Sequence, residues 1–231
     1  MRLIRFSLIF ASILLFIGCR SINRPEVLAV ETNSWVNLSV NRIGISTFYI
    51  DRNLVVPDTL KSEFEQTIEQ LLESYGYSVQ PNENYRTISS ELRTNYGPFY
   101  DSMTGAKNQS TFDSHRDESL TKFIQEYELD MLLDIYIVRK NVHYKNSTAT
   151  WDDVVDRFDG ATGALGNSGV IPAISLVVKA KNLHTGDVYY RAQGLQVILK
   201  KISGREYDIH PSDIELHKKN IERSFIQFNK A

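Results

Sequence analysis

Cysteine, proline and histidine are scarce in this chain: one, six and five among 231 residues. A single cysteine excludes an intramolecular disulfide framework and any zinc site built from several thiolates. Neither sign of charge prevails, with 26 Lys and Arg against 28 Asp and Glu. The basic footprint of a nucleic-acid binder is therefore missing, and no nucleic-acid partner is expected. No apolar run reaches the ~20 residues of a membrane-spanning helix. What is present is the composition of a globular protein, 42% hydrophobic and 11% aromatic, enough for one sizeable core.

The longest apolar stretch, Phe6 to Gly18, follows Arg2 and Arg5 and ends at Cys19. A basic start and a short apolar run describe a signal peptide. Thirteen residues make a helix of roughly 20 Å, short of the ~30 Å hydrocarbon core. The string Leu15-Phe16-Ile17-Gly18-Cys19 resembles a bacterial lipobox. Phe16 stands where that pattern usually has Leu. The resemblance implies cleavage after residue 18 and a diacylglycerol on the Cys19 thiol, an anchor stronger than a single chain at ~0.8 kcal/mol per CH2. Arg20 follows the cysteine instead of Asp, which in the resembled lipoproteins implies the periplasmic face of the outer membrane. Residues 1–18 are thus expected to be a signal peptide and 19–37 a lipidated tether. Residues 38–231 are expected to form one periplasmic domain.

Within that domain the spacing predicts a first strand over Val40 to Ile50. After the turn and N-cap offered by Pro57-Asp58-Thr59, Leu60, Phe64, Ile68, Leu71 and Leu72 repeat at helical period. A short strand, Tyr77 to Gln80, precedes Pro81. Residues 81–111 turn polar and read as a long loop. A second helix is predicted from Ser114, with Leu120, Phe123, Ile124 and Tyr127 inward. A central strand is predicted over Met131 to Val142. Residues 143–171, charged and then rich in glycine, read as a second excursion. Ile174 to Ala180, a turn at His184-Thr185-Gly186-Asp187, and Val188 to Ala192 predict a hairpin. Leu195 to Ile202 either continues the sheet or bridges to a last helix, opened by a Ser212/Glu215 capping box and carrying Ile214, Ile221, Phe225 and Phe228. The expected fold is α/β, a single mixed sheet with two to three packed helices and a C-terminal hairpin plus helix.

Three segments carry a further likeness. Ile43-Gly44-Ile45 ahead of a helix closing in residues 71–79 (LLESYGYSV), then 123–138 (FIQEYELDMLLDIYIV), then 175–194 (SLVVKAKNLHTGDVYYRAQG) resemble the amino-terminal domain of the Tol-Pal translocation protein. The curli-secretion lipoprotein shares this layout. The two long excursions depart from those compact domains. The resemblance implies a non-catalytic module that docks onto or assembles an envelope complex.

Catalytic and metal-binding patterns are weak. No two of His115, His143, His184, His210 and His217 stand at i, i+4, and no HExxH occurs. Asp113, His115 and Asp117 suggest a chelate only if a loop wraps an ion, and helix capping explains Asp117 more simply. Asp152, Asp153, Asp156 and Asp159 suit calcium in chemistry but not in spacing, and read as a solvated acidic loop. Gly160, Gly163, Gly166 and Gly169 lack the following helix that a phosphate cradle requires. No G-x-S-x-G elbow is present. No metal, cofactor or enzymatic activity is expected.

The aromatics of the two excursions remain: Tyr96, Phe99 and Tyr100 in NYGPFYDSMTG, and Trp151. Aromatics near Gly and Pro in loops either form recognition surfaces or cover satellite cores. The first reading makes them the contact for an envelope protein or polymer, with the lipid anchor holding the domain at the membrane. An oligomeric secretion or pore component is the alternative, and requires a long alternating segment within 81–111 or 143–171, which the sequence does not display. An envelope hydrolase, gathering His and carboxylates from distant segments, is the third.

Overall fold

A computed structural model describes residues 40–158, 168–198, 208–210 and 213–229, and these form seven strands and four α-helices. Cys19 with the signal and tether segments, Asp159, Gly160, Gly163, Gly166 and Ser212 lie outside the described residues.

Strand β1 (Arg42–Ile50) sits between β2 (Ser78–Gln80) and β3 (Met131–Lys145), parallel to both. β3 pairs antiparallel with β6 (Ser168–Asn182) along all fifteen residues of each, and β6 pairs with β7 (Val188–Val197). The sheet is mixed, as expected. Its two faces bury different elements. Ile43, Ile45 and Phe48 of β1, Met131 to Ile137 at odd positions of β3, and Ile174 to Ala180 at even positions of β6 meet helices α1 (Asp58–Ser74) and α4 (Ile214–Ser224) in the main core. Leu60, Phe64, Ile68 and Leu72 form the α1 stripe, and each such buried side chain contributes about 1.5–3 kcal/mol. The opposite face carries α2 (Asn82–Leu92) and α3 (Gln109–Tyr127), with Ile88 and Phe123 against Leu129 and Leu132.

A bulge in β1 between Ile45 and Thr47 keeps Ile45 and Phe48 on one face. Two β1 carbonyls at the bulge, those of Ile45 and Ser46, accept from Asn82 Nδ2 at 3.3 and 3.0 Å, which pins the start of α2. Gly44 lets α3 approach: a Cβ there would lie 2.4 Å from Leu129 Cδ1 and 2.7 Å from Phe123 Cε1.

Several expectations are corrected. Residues 81–111 are not a loop, since α2 occupies 82–92 and a 3-10 turn follows over Arg93–Asn95. Helix α3 begins at Gln109, capped by Asn108 through Thr111 N–H, and not at Ser114. The α1 N-cap is Pro57, with no side-chain cap, and Asp58 is already helical. Residues 143–171 hold strands: β3 runs to Lys145, β4 (Thr148–Trp151) and β5 (Val154–Arg157) return, and β6 starts at Ser168. Asn146 and Ser147, then Asp152 and Asp153, all have positive φ, the pattern of tight type I′ hairpins.

The long alternating segment that a pore reading requires thus exists, and its outward positions are mixed: Asn141, His143, Lys145, Thr150 and Arg157 are polar, while Val155 and Val170 are exposed apolar residues. On β3 the buried parity switches from odd at Ile137 to even at Val142 and Tyr144, while Asn141, His143 and Lys145 are exposed. Lipid-facing strands would carry apolar residues at Asn141, His143 and Lys145 as well. Val142, Tyr144, Trp151, Val154, Phe158, Ile171 and Val197 enclose a second small core. No described helix is long and apolar enough to cross a membrane.

Candidate functional site

The tyrosine and phenylalanine of the first excursion belong to one lobe, residues 96–108, standing between α2 and α3. Its root is His115 of α3, 6% exposed, whose Nε2 lies 2.8 Å from Ser89 O of α2. The rings of Tyr96 and Phe99 pack on that imidazole at 5.2 and 5.0 Å, and Phe99 meets Phe112 edge-on at 5.6 Å. Cations cover the exposed aromatic faces. The Arg93 guanidinium lies 3.7 Å above Phe99 and also donates to the carbonyls of Tyr96 and Gly97, while Lys107 Nζ lies 3.5 Å above Phe112. Tyr96 OH donates to Glu118 and stands 3.3 Å from Ser114 O, and the Glu118 hydrogen bond, ahead of burial, pushes its phenol above the ordinary range.

Above this root the lobe closes as a miniature hairpin. Tyr100 pairs with Lys107, Asp101 N donates to Ala106 O at 2.8 Å, and Asn108 N donates to Phe99 O at 2.8 Å. Asp101 Oδ1 accepts from Met103 N, Thr104 N and Thr104 Oγ1 at 2.7–3.0 Å, an Asx-type turn, and Gly105 at φ 68 supplies the left-handed residue that closes it. Hydrogen bonds from Thr104 and Met103, against the opposing effect of burial, hold the Asp101 carboxyl below its ordinary value. This frame presents two apolar side chains to solvent, Tyr100 at 57% and Met103 at 93% exposure. Beside it, a groove of about 660 Å³ is lined by Arg86, Ser89, Ser90, Arg93, Phe99 and His115.

Trp151 lies elsewhere. It is 8% exposed within the second core, and its Nε1 donates to Ile174 O at 3.3 Å and Ser175 Oγ at 3.1 Å. The structure therefore brings Tyr96, Phe99 and Tyr100 together and does not bring Trp151 to them. The exposed tip residue that sequence reasoning missed is Met103; the Gly97-Pro98 and Asp101 to Gly105 turn residues were the signal for it.

The acidic candidates are already engaged in separate contacts. Asp152 Oδ2 accepts from Ser175 Oγ at 2.6 Å and from Lys140 Nζ, Asp156 accepts from Val197 N at 2.9 Å, and Asp153 lies 3.7 Å from Arg191. Asp113 accepts from Gln109 Nε2, and Asp117 pairs with Arg116. Among the described residues no group of three or more His, Cys, Asp or Glu is placed to hold a metal ion. Gly169 is a strand residue under Tyr144, whose hydroxyl would stand 2.9 Å from an added Cβ.

A His–carboxylate pair joins the start of β3 to the β6–β7 turn. His184 Nε2 lies 2.9 Å from Asp130 Oδ1, and Asp130 Oδ2 accepts from the N–H groups of Asn41 and Arg42. Burial raises the Asp130 carboxyl, but those two N–H bonds and His184 together hold it below its ordinary value. The pair ties the start of β1 to the β6–β7 turn.

No family model matches the chain, and no curated protein matches it. Among solved structures it is similar to the PelC L103M dodecamer from Paraburkholderia phytofirmans at 8% identity and TM-score 0.36, over 83% of this chain and 88% of that one. It is also similar to the motor domain of the Kar3-like kinesin from Ashbya gossypii at 13% identity and TM-score 0.16, over 64% of this chain and 61% of that one. At those TM-scores neither likeness bears on what this chain does.

Proposed function

We propose that the chain is a non-catalytic binding module, held by a lipid on Cys19 at the periplasmic face of an outer membrane, that docks an envelope protein through the 96–108 lobe. The observation that carries this reading is the pairing of a fixed frame with an exposed apolar tip. Tyr100 and Met103 project from a turn held by Asp101, Gly105 and the Arg93–Phe99–His115 root. A pre-ordered loop loses little conformational entropy on binding, and tyrosine and methionine are enriched where interfaces bury their centres. The apolar segment ending at Cys19 supports the anchor.

Membrane fractionation and crosslinking pull-down from native envelopes test both halves. The intact chain is expected in the membrane fraction with a discrete partner, Cys19→Ala is expected to leave that fraction, and Met103→Glu with Tyr100→Ala is expected to stay membrane-bound and lose the partner. A Cys19→Ala chain that stays as firmly membrane-bound removes the anchor. Unchanged capture by the tip variant removes the lobe.

A further inference from the structure

The sheet ends in β2, β5 and β7, and these edges are built differently. β2 at one edge has only three residues, a common way to keep an edge from pairing. β7 at another edge has ten and, among the described residues, pairs with β6 alone. Two hydrogen bonds fix which of its backbone groups face outward. Asn182 N donates to Asp187 O, so odd positions of β7 bond to β6, and Gly194 N turns away from β6 to donate to Asp152 O at 2.7 Å. The ladder is regular between Val188 and Gly194. The N–H and C=O groups of Val188, Tyr190 and Ala192 therefore point away from the sheet, and no described backbone or side chain bonds to them. Val188 is 47% exposed, and Tyr190 and Ala192 are half-buried. Arg191, the one charged residue of the stretch, is engaged with Asp153.

We infer that this edge pairs with the same edge of a second copy, β7 against β7, antiparallel about a two-fold axis at Tyr190. The sequence is self-complementary in that register. Tyr190 faces Tyr190, Val188 faces Ala192, and Arg191 stands opposite Tyr189, so no like charges meet. Each of the pairs at 188, 190 and 192 exchanges two backbone hydrogen bonds, because all three residues present both groups outward. The Tyr190 rings fall side by side on one face, the cross-strand aromatic pairing that stabilises antiparallel ladders. The pairing stops where Asp152 already takes Gly194 N–H at one end and the Gly186 turn begins at the other. An isologous contact closes on itself and generates a dimer, not an open filament.

The test uses the full-length chain carrying Cys19→Ala in detergent micelles, so that an introduced thiol is unique. Facing residues of a bonded antiparallel pair stand ~5.5 Å apart at Cα, within disulfide reach. Under mild oxidation Tyr190→Cys is expected to give at least about tenfold more disulfide-linked dimer than Val170→Cys, a residue 56% exposed at the far end of β6. A charge exchange supplies a readout independent of oxidation. Ala192→Glu alone is expected to abolish the dimer in native mass spectrometry, because each glutamate loses its partner's Val188 contact, and Val188→Lys with Ala192→Glu is expected to restore it. Equal crosslinking from residues 190 and 170, an undiminished dimer for Ala192→Glu, or a larger assembly without the Tyr190→Cys disulfide overturns the two-fold pairing.

Discussion

Trp151 closes over Gly194: a Cβ on the glycine would stand 2.9 Å from the indole Nε1 and 2.9 Å from Val154 Cβ. The β4–β5 hairpin can therefore fold onto β7 only because that strand position lacks a side chain. The backbone bond from Gly194 N to Asp152 O is formed through this close approach.

Gly194→Ala is accordingly expected to lift the hairpin and wet the indole. With Trp35 replaced by Phe, Trp151 is the sole tryptophan, and its emission should shift to the red while the main core stays folded. Overpacking of this kind costs about 1–3 kcal/mol. Unshifted emission contradicts the packing.

Gly44 has the equivalent role on β1, against Phe123 and Leu129. Gly44→Ala is expected to lower stability by about 1–3 kcal/mol. Helix α3 is expected to loosen more than α1, as faster amide exchange in 109–127 than in 58–74 would show.

His217 of α4 is fully buried, stacked on Phe64 at 5.9 Å, with no hydrogen-bond partner among the described residues on either ring nitrogen. Burial pushes the imidazole down to about 4, against the opposing charge of Asp213. The folded state therefore binds fewer protons than the unfolded chain between about 6.5 and about 4. This contribution is fully present above 6.5 and is lost as pH falls through that window, by roughly 3 kcal/mol in all. His217→Leu is expected to flatten the dependence of Tm on pH over that range. A slope unchanged by the substitution contradicts this account.

Much of the main core was legible because its residues obey one period. The α1 stripe at Leu60, Phe64, Ile68 and Leu72 and the alternation from Ile174 to Ala180 both read directly. Helix α2 did not, since only Tyr85, Ile88 and Leu92 interrupt a polar run, and tertiary packing on β1 through Asn82 does the rest. Strands β4 and β5 were hidden by brevity and by turns made with Asn146-Ser147 and Asp152-Asp153 in place of glycine. The parity switch between Ile137 and Val142 broke the alternation that would have extended β3. At the candidate site, the aromatic residue types pointed to the lobe. Its root at His115, the exposure of Met103 and the burial of Trp151 depend on contacts between distant segments.

The lobe's order rests on Asp101. Asp101→Ala removes the acceptor for Met103 N, Thr104 N and Thr104 Oγ1. Amide exchange at residues 103–105 is expected to quicken, with α2 and α3 unchanged, and partner capture is expected to weaken although both apolar tip residues remain. Unaltered exchange contradicts the frame.

The most direct measurement places a photo-crosslinking side chain at Met103 and, separately, at Val170 in the lipid-anchored chain within native envelopes. One discrete adduct is expected from position 103, absent from position 170 and lost when Tyr100→Ala is added. No adduct from 103, or the same adducts from both positions, contradicts docking through the lobe.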